Sequence, residues 1–274
     1  PLFFISVKGK QGFINKNGQV VIDPIYEQVQ SFADDLAPVK VGEKWGFIDK
    51  SGKIFLKPQF DEIRWSFQED LASVRIGKKW GFIDKSGSVV IEPDLDYGHI
   101  FYDGRSIINV GENSELRHSI IDKNGKRITE QLFEWSGWSY SDGLLNVKVN
   151  GKWGFIDRNG KMIISIQFED AQEFSEGLAA VKFEGKKDQW GFIDTSGKII
   201  IPAQFEESWY FKDGLAAIRK KGKYGFINKA GKIVIEPKFD WIYAFSEGLA
   251  AVRINNKWGF IDKTGNFVVK PKYD

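Results

Sequence analysis

The sequence predicts an all-β fold built from eight tandem units, and three observations lead to this prediction. A Trp-Gly marker recurs about every 35 residues, a spacing typical of repeat architectures. Apolar residues within each unit alternate with the period of a β-strand. Glycine and proline separate the alternating segments, as in short strands joined by tight turns. The chain, residues 1–274, is therefore expected to form a single repeat domain.

The marker recurs at regular positions along the whole chain. Its Gly, or the residue in that place, is expected near positions 12, 46, 81, 119, 154, 191, 225 and 259. The best copies are Trp45-Gly46, Trp80-Gly81, Trp153-Gly154, Trp190-Gly191, Tyr224-Gly225 and Trp258-Gly259. We interpret these pairs as structural, because an indole is a large packing element and Gly lets a neighbouring backbone pass close.

One unit can be translated into strands by local rules. Trp45 and Phe47 share one face of a strand and Ile48 takes the other, since side chains alternate with a period of two. The segment 49–52 predicts a tight hairpin turn, in which the Asp accepts backbone N–H groups and the Gly takes a positive φ. This marker strand is the first of three in the unit.

The remainder of the unit supplies two more strands. Ile54–Leu56 is a continuous apolar run, which predicts a strand that is buried on both faces and ended by Pro58. Leu36–Val39 represents the strand that leads back to the marker. Each unit is therefore expected to be a three-stranded antiparallel meander. A short fourth strand in the linker, for example between residues 60 and 67, stays open.

The ends of the chain bear on how the units assemble. The first strand, Leu2–Ile5, and the last, Phe267–Val269, are as apolar as the interior copies. An open array needs polar caps at its ends, so this pattern favours a closed, propeller-like toroid. An open β-solenoid or superhelical array is the alternative, because about 35 residues is short for a propeller blade.

Composition excludes several classes of function. Lys and Arg number 39 against 37 Asp and Glu, and this balance argues against nucleic acid as the main partner. The chain has no Cys, so disulfides and thiol chemistry are absent. No apolar run reaches the roughly 20 residues of a membrane span, and the first residues do not resemble a signal peptide. The compartment is left undetermined.

Catalytic and metal-binding residues are not expected. The chain has 2 His, His99 and His118, and both lie in the divergent fourth unit, where repeat decay is the simpler explanation. The hairpin segment 49–52 offers one carboxylate followed by a cation, whereas a calcium loop alternates several oxygen donors. We therefore predict a protein that is not an enzyme and has no cofactor.

A second series of acids follows the aromatic residue that comes after each proline position. Its members are Glu27, Asp61, Asp96, Glu134, Glu169, Glu206, Asp240 and Asp274. The favoured interpretation is a repeated hydrogen bond to backbone N–H groups. A ring of ligand-binding acids is the alternative.

Aromatic residues in the linkers are the candidates for ligand binding. They are Trp65, Trp135, Trp138, Trp209, Tyr210, Trp241 and Tyr243. One interpretation is packing between units beneath a long loop. The other is that successive linkers converge on one rim, where exposed rings bind a sugar or an apolar anchor of a partner. Two long loops, 111–117 and 184–189, are a further hint of a binding edge.

Two stretches, Lys152–Val181 and Lys223–Val252, show the full pattern of marker, hairpin turn, aromatic-acid pair and Leu-Ala-Ala-Val strand. This pattern resembles the bacterial WG-repeat family, also called KWG repeats, over essentially the whole chain. The resemblance implies a non-catalytic module. We expect a scaffold that binds a protein or peptide partner through one rim, with a carbohydrate-binding module as the alternative. Exposed linker Trp flanked by polar groups would favour the carbohydrate alternative, and buried linker Trp would favour a pure scaffold.

Overall fold

The computed structural model describes residues 1–111, 117–185 and 189–274. They form two compact units, 1–132 and 133–274, which are called the first and the second unit from here on and are distinct from the eight sequence repeats. Within these residues the regular structure is entirely β, in eight small antiparallel sheets. This confirms the predicted all-β class of tandem antiparallel sheets. Residues 112–116 and 186–188, which make up most of the two long loops, lie outside the described residues.

The first unit contains four sheets of consecutive strands. They are β1 (Leu2–Val7), β2 (Lys10–Asn15) and β3 (Val20–Tyr26); β4 (Gln28–Val29), β5 (Leu36–Val41), β6 (Lys44–Asp49) and β7 (Ile54–Phe60); β8 (Glu62–Ile63), β9 (Leu71–Ile76), β10 (Lys79–Asp84) and β11 (Val89–Leu95); and β12 (Tyr97–Gly98), β13 (Arg105–Val110) and β14 (Arg117–Asp122).

The second unit also contains four sheets, each of four strands. They are β15 (Trp135–Ser136), β16 (Leu144–Val149), β17 (Lys152–Asp157) and β18 (Met162–Phe168); β19 (Asp170–Ala171), β20 (Leu178–Lys182), β21 (Trp190–Asp194) and β22 (Ile199–Phe205); β23 (Glu207–Lys212), β24 (Leu215–Lys220), β25 (Lys223–Asn228) and β26 (Ile233–Phe239); and β27 (Trp241–Ile242), β28 (Leu249–Ile254), β29 (Lys257–Asp262) and β30 (Phe267–Tyr273). The first strand of each sheet is the linker strand that the sequence left open; β15, β19 and β27 have 2 residues each, and β23 has 6.

The hairpin turns confirm the local prediction. The backbone N–H groups of Ser51 and Lys53 donate to Asp49 Oδ1 at 2.8 and 3.1 Å. Gly52 has a φ of 85°, which is the left-handed conformation that Gly adopts without steric cost. The same side-chain bonds recur at Asp157 and Asp262. The conserved spacing of this turn therefore has a direct structural cause.

The marker Gly admits a neighbouring backbone, as predicted, and the neighbour belongs to the same sheet. A Cβ on Gly46 would lie 2.5 Å from the carbonyl oxygen of Leu56 and 2.7 Å from the nitrogen of Pro58. The pairing of β6 with β7 shifts register at this point. Because the irregularity removes Pro58 from the ladder, β7 continues to Phe60, and the prediction that Pro58 ends the strand was wrong.

The burial predicted for the strand that contains Ile54–Leu56 was also wrong. Ile54 and Phe55 are 39% and 45% exposed, and Leu56 alone is half-buried. The reason is topological: β7 is the edge strand of its sheet, so its apolar run is not enclosed on both faces. The equivalent residues Val20 and Val21 of β3 are exposed in the same way.

The second acid series is structural, as the favoured interpretation held. Asp61 accepts the backbone N–H of Gly77 at 2.7 Å and the ammonium of Lys44 at 2.6 Å. Asp240 does the same with Asn255 and Lys223, at 2.7 and 2.5 Å. The hydrogen bond from the lysine, followed by that from the backbone, lowers the pKa of both carboxyl groups. These acids tie each linker to the turn before the marker.

The core joins each sheet to the linker that follows it. The marker Phe packs against the linker Phe at ring-centroid distances of 4.7 Å for Phe47–Phe67 and 4.8 Å for Phe155–Phe174. Trp45 belongs to the same buried cluster as Phe47 and Phe67. Since these rings are buried, the linkers that carry Phe67 and Phe174 are held at a fixed place.

Candidate ligand-binding site

Linkers are the segments between the last strand of one sheet and the first long strand of the next. In the linker 134–143, Ser136 and Tyr140 are buried, whereas Trp135 and Trp138 point to solvent. In the linker 169–177 the buried positions are Ala171 and Phe174. Alternate linker positions are therefore fixed by the core, and the others are free to carry recognition groups.

Six of the seven aromatic residues that the sequence singled out are exposed. They are Trp65, Trp135, Trp138, Tyr210, Trp241 and Tyr243, with Trp209 half-buried. Trp138 is 60% exposed and Trp135 is 44% exposed, so the two rings form a contiguous exposed apolar surface. The interpretation that the linker rings only pack between units does not fit this exposure.

The structure brings four of these residues together in the second unit. Trp135, Trp138, Trp209 and Tyr210, with the marker Trp153, line a cavity of about 630 Å³. Its polar wall consists of Asp170, Gln172 and Glu173. We call these eight residues and the cavity between them the aromatic pocket. Its volume lies in the range of small-ligand sites, roughly 300–1,000 Å³.

The rings of the aromatic pocket meet at steep angles. Trp135 and Trp138 have centroids 5.8 Å apart and planes inclined by 84°, so they form a corner. On the opposite side, Trp209 packs edge-on against Trp241 at 6.2 Å. Trp241 thus supports the pocket from behind without lining it.

Two further candidates lie outside the aromatic pocket. Tyr243 stacks on the marker Trp258 with centroids 5.4 Å apart and planes inclined by 23°. Trp65 belongs to the first unit, where it lines a separate apolar groove with Phe4 and Phe32. The sequence therefore named the main rings of the pocket, but it also named residues that do not join them.

Gly137 opens the aromatic pocket, and sequence reasoning missed it. The corresponding position, directly after the first two linker-strand residues, is filled in the other linkers by Gln30, Arg64, His99, Gln172, Trp209 and Tyr243. A Cβ on Gly137 would collide with Asn146 Oδ1 and would lie 3.1 Å from Glu173 Oε1. A side chain is thus absent here, and a carboxylate and an amide approach the backbone instead.

Asn146 forms the polar floor of the aromatic pocket. It occupies the place of a repeat Ala, such as Ala180 or Ala217, and is 6% exposed. Its Nδ2 donates to the carbonyl of Ala171 at 3.0 Å, whereas its Oδ1 has no hydrogen-bond partner. A buried polar side chain at a position where the repeat has Ala was the available sequence signal.

The charge of the aromatic pocket is negative. Asp170 and Glu173 are the charged side chains among its described lining residues. Glu173 is half-buried and makes no ion pair in the part of the chain that the structure describes. Lys148 is not among the lining residues, and its ammonium lies 5.7 Å from the ring centroid of Trp153. The pocket therefore combines aromatic walls with a carboxylate that lacks a counter-charge.

The equivalent linkers of the first unit form a different site. A cavity of about 570 Å³ there is lined by Gln28, Gln30, Glu62, Arg64 and Arg75, which we call the polar groove. Two of its arginines are already engaged by other groups of the chain. Arg75 Nε donates to Glu62 Oε2 at 3.0 Å, and the Arg64 guanidinium lies 4.5 Å from the ring centroid of Tyr97.

The two histidines of the fourth sequence repeat also lie in the first compact unit, residues 1–132. Burial, with smaller contributions from His118 and Arg64, lowers the pKa of His99 to about 4. Burial likewise lowers the pKa of His118. Among the described residues, no group of three or more His, Cys, Asp or Glu is placed to hold a metal ion. The described part of the chain also contains no helix that could cross a membrane.

The fold is that of a tandem-repeat, all-β protein, and its linkers line a cavity. The family described as "WG containing repeat" matches residues 12–45, 45–80, 80–113, 119–153, 153–186, 190–224, 224–258 and 258–274. The chain therefore belongs to the WG-repeat family. No curated protein matches the sequence of this chain.

Solved structures match the chain at very low sequence identity. A crystal structure described as that of "the eukaryotic initiation factor" matches with a TM-score of 0.61 at 9% identity, covering 100% of this chain and 86% of that chain. Hsv2p of Kluyveromyces lactis matches with a TM-score of 0.42 at 10% identity, covering 83% of this chain and 89% of that chain. The first likeness shows the fold alone.

Proposed function

We propose that this protein is a non-catalytic binding module that holds a protein or peptide partner through its linker rim. The aromatic pocket is its anchor site. The observation that carries this proposal is the solvent exposure of Trp135 and Trp138 at the mouth of a cavity of about 630 Å³. Trp and Tyr in well-formed pockets supply most of the binding energy in protein interfaces.

The non-catalytic part of the proposal rests on the chemistry of the pocket. The pocket has carboxylates and amides but no activated nucleophile of the Ser-His or Cys-His kind among its described lining residues. Its groups are suited to recognition.

A carbohydrate ligand is the second candidate function, and one observation favours it. The exposed linker Trp are flanked by polar groups, Asp170 and Gln172, which is the pattern expected of a lectin-like module. The angle of 84° between Trp135 and Trp138 supports the peptide candidate instead. A corner of two rings encloses a narrow side chain, whereas a sugar ring stacks on one open face.

Binding to displayed libraries tests the proposal. The wild-type protein would be screened against a random-peptide library and a glycan array, and then compared with Trp138→Ala and Trp65→Ala. Both substitutions remove an exposed linker Trp, but only Trp138 lines the aromatic pocket. We expect peptide binding that Trp138→Ala removes and Trp65→Ala preserves. Glycan binding without peptide binding, lost in Trp138→Ala, would overturn the proposal in favour of the second candidate.

A further inference from the structure

Glu173 is a carboxylate that faces the aromatic pocket without a counter-charge. Its Oε1 lies 3.1 Å from the place that a Cβ of Gly137 would take, so it points to the space that the missing side chain leaves. Most half-buried carboxylates have a cationic or hydrogen-bonding partner. Glu173 has none among the described residues, and Asp170 adds a second negative charge to the same wall.

In the first unit, the linker position that corresponds to Gly137 carries a side chain of the protein itself. Arg64 occupies the linker position that corresponds to Gly137, and its guanidinium lies 4.5 Å from the ring centroid of Tyr97. Tyr97 occupies the position that corresponds to Asp170 in the second unit. In the second unit, Asp170 takes the place of Tyr97, and Gly137 takes the place of Arg64. This leaves a site whose shape and charge suit an arginine side chain from another polypeptide.

Arginine against an aromatic ring is a recurring contact in this molecule. The guanidinium of Arg219 lies 5.6 Å from the ring centroid of Tyr224, and that of Arg253 lies 5.7 Å from the ring centroid of Trp258. Guanidinium groups stack on aromatic faces and also bind carboxylates in a bidentate way. The marker rings of this repeat are therefore already used as platforms for arginine.

Asn146 adds an independent sign that the pocket receives a donor. Its side chain is nine-tenths buried in the floor, and its Oδ1 has no partner. An unsatisfied buried acceptor is destabilising, and such groups are uncommon in native proteins. A ligand rich in N–H donors, or a water that it orders, would reduce this cost.

From these four observations we infer that the aromatic pocket binds an arginine side chain of the partner polypeptide. Its guanidinium lies against Glu173 and Asp170, and its aliphatic stem lies in the corner formed by Trp135 and Trp138. This inference rests on the proposed function and specifies the chemistry of the bound residue.

Peptide arrays with one fixed position test the inference. The peptides have randomised flanks and a central Arg, Lys, citrulline or norleucine. Citrulline has the shape of arginine without its charge. The wild-type protein is expected to bind central-Arg peptides best and to bind the citrulline version of a selected peptide about tenfold more weakly, a difference of about 1.4 kcal/mol. In Glu173→Gln that difference is expected to disappear.

Glu236→Gln is the matched control, because Glu236 is an exposed carboxylate in β26 of the same unit. It is expected to discriminate arginine from citrulline as the wild type does. Equal binding of the citrulline and arginine peptides would overturn the inference and leave the proposed peptide-binding function intact. Absence of peptide binding together with glycan binding would instead overturn the proposed function itself.

Discussion

The polar groove of the first unit and the aromatic pocket of the second are both formed by linkers of the same repeat, yet their lining side chains differ in chemistry. Their volumes are similar, about 570 and 630 Å³. In the polar groove, Arg75 pairs with Glu62, and the Arg64 guanidinium lies on the ring of Tyr97. In the aromatic pocket, Glu173 has no such partner in the described residues. The two sites are similar in size, and they differ in whether these charged side chains are engaged by other groups of the chain.

The comparison shows how a repeat can diversify its surface without changing its fold. The linker residues that face the core are held by the same ring pairs in both units, as in Phe47–Phe67 and Phe155–Phe174. The outward linker positions do not pack in the core. Substitutions there, such as Arg to Gly, therefore change the rim with little effect on the stability of the core. Each prediction below tests one side of this separation.

The largest expected effect is on the shared core. Phe47→Ala and Phe155→Ala each remove a fully buried ring, and each is expected to lower the free energy of unfolding by about 4 kcal/mol. Chemical denaturation of both variants measures this. Because both rings are fully buried and both pairs have similar centroid distances, 4.7 and 4.8 Å, the two losses should agree within about 1 kcal/mol. A much smaller loss in one unit would contradict the shared linker support.

The next effect is on binding, and it separates the two rims. Trp138→Ala should weaken a selected peptide by about 30-fold, or about 2 kcal/mol, because exposed Trp in pockets act as hot spots. Trp65→Ala should change the affinity less than twofold. Isothermal titration gives both values. Similar losses in the two variants would mean that both units contact the partner.

A transplant of the first unit's arrangement sharpens the comparison. The double substitution Gly137→Arg with Asn146→Ala supplies the internal guanidinium of the polar groove and removes the amide that a side chain at 137 would strike. We expect it to fold and to bind a selected peptide about tenfold more weakly, since its own arginine occupies the carboxylate. Asn146→Ala alone is the control. Unchanged affinity in the double variant would contradict an arginine site.

The last expected effect is on the pH dependence of stability. His99 has a pKa of about 4 in the folded protein, below its unfolded value near 6.5. Between these values the unfolded chain binds a proton that the folded one does not. Stability is therefore full above about pH 6.5 and falls as the pH decreases toward 4.

His99→Gln should flatten the fall in unfolding free energy between pH 7 and 5, which denaturation at several pH values would measure. Gln already occupies the equivalent position in two other linkers, at Gln30 and Gln172, so the variant is expected to fold. An unchanged pH profile would show that His99 does not titrate as its burial indicates.

Sequence reasoning reached the parts of the structure that are governed by local chemistry. The Asp49–Gly52 turn, the marker Gly46 and the bond from Asp61 to a backbone N–H each follow from residue type and spacing. It failed where long-range topology decides. The exposure of Ile54 and Phe55 depends on β7 being an edge strand, which no local pattern reveals.

The aromatic pocket could be predicted only in part. Trp135, Trp138, Trp209 and Tyr210 were identified because they break the repeat as large rings in linkers. Gly137 was not identified, because its effect depends on Asn146 and Glu173, which are distant from it in the chain. A missing side chain becomes visible only when the linkers are superposed.

The most direct test of the central claim follows the Trp indole signals by NMR while a selected arginine peptide is titrated into labelled protein. The ten indole N–H groups report on both units at once, and Trp variants assign them. The account predicts shifts at Trp135, Trp138 and Trp209, with Trp65 unchanged. Shifts confined to Trp65, or the same shifts with the citrulline peptide at equal affinity, would contradict it.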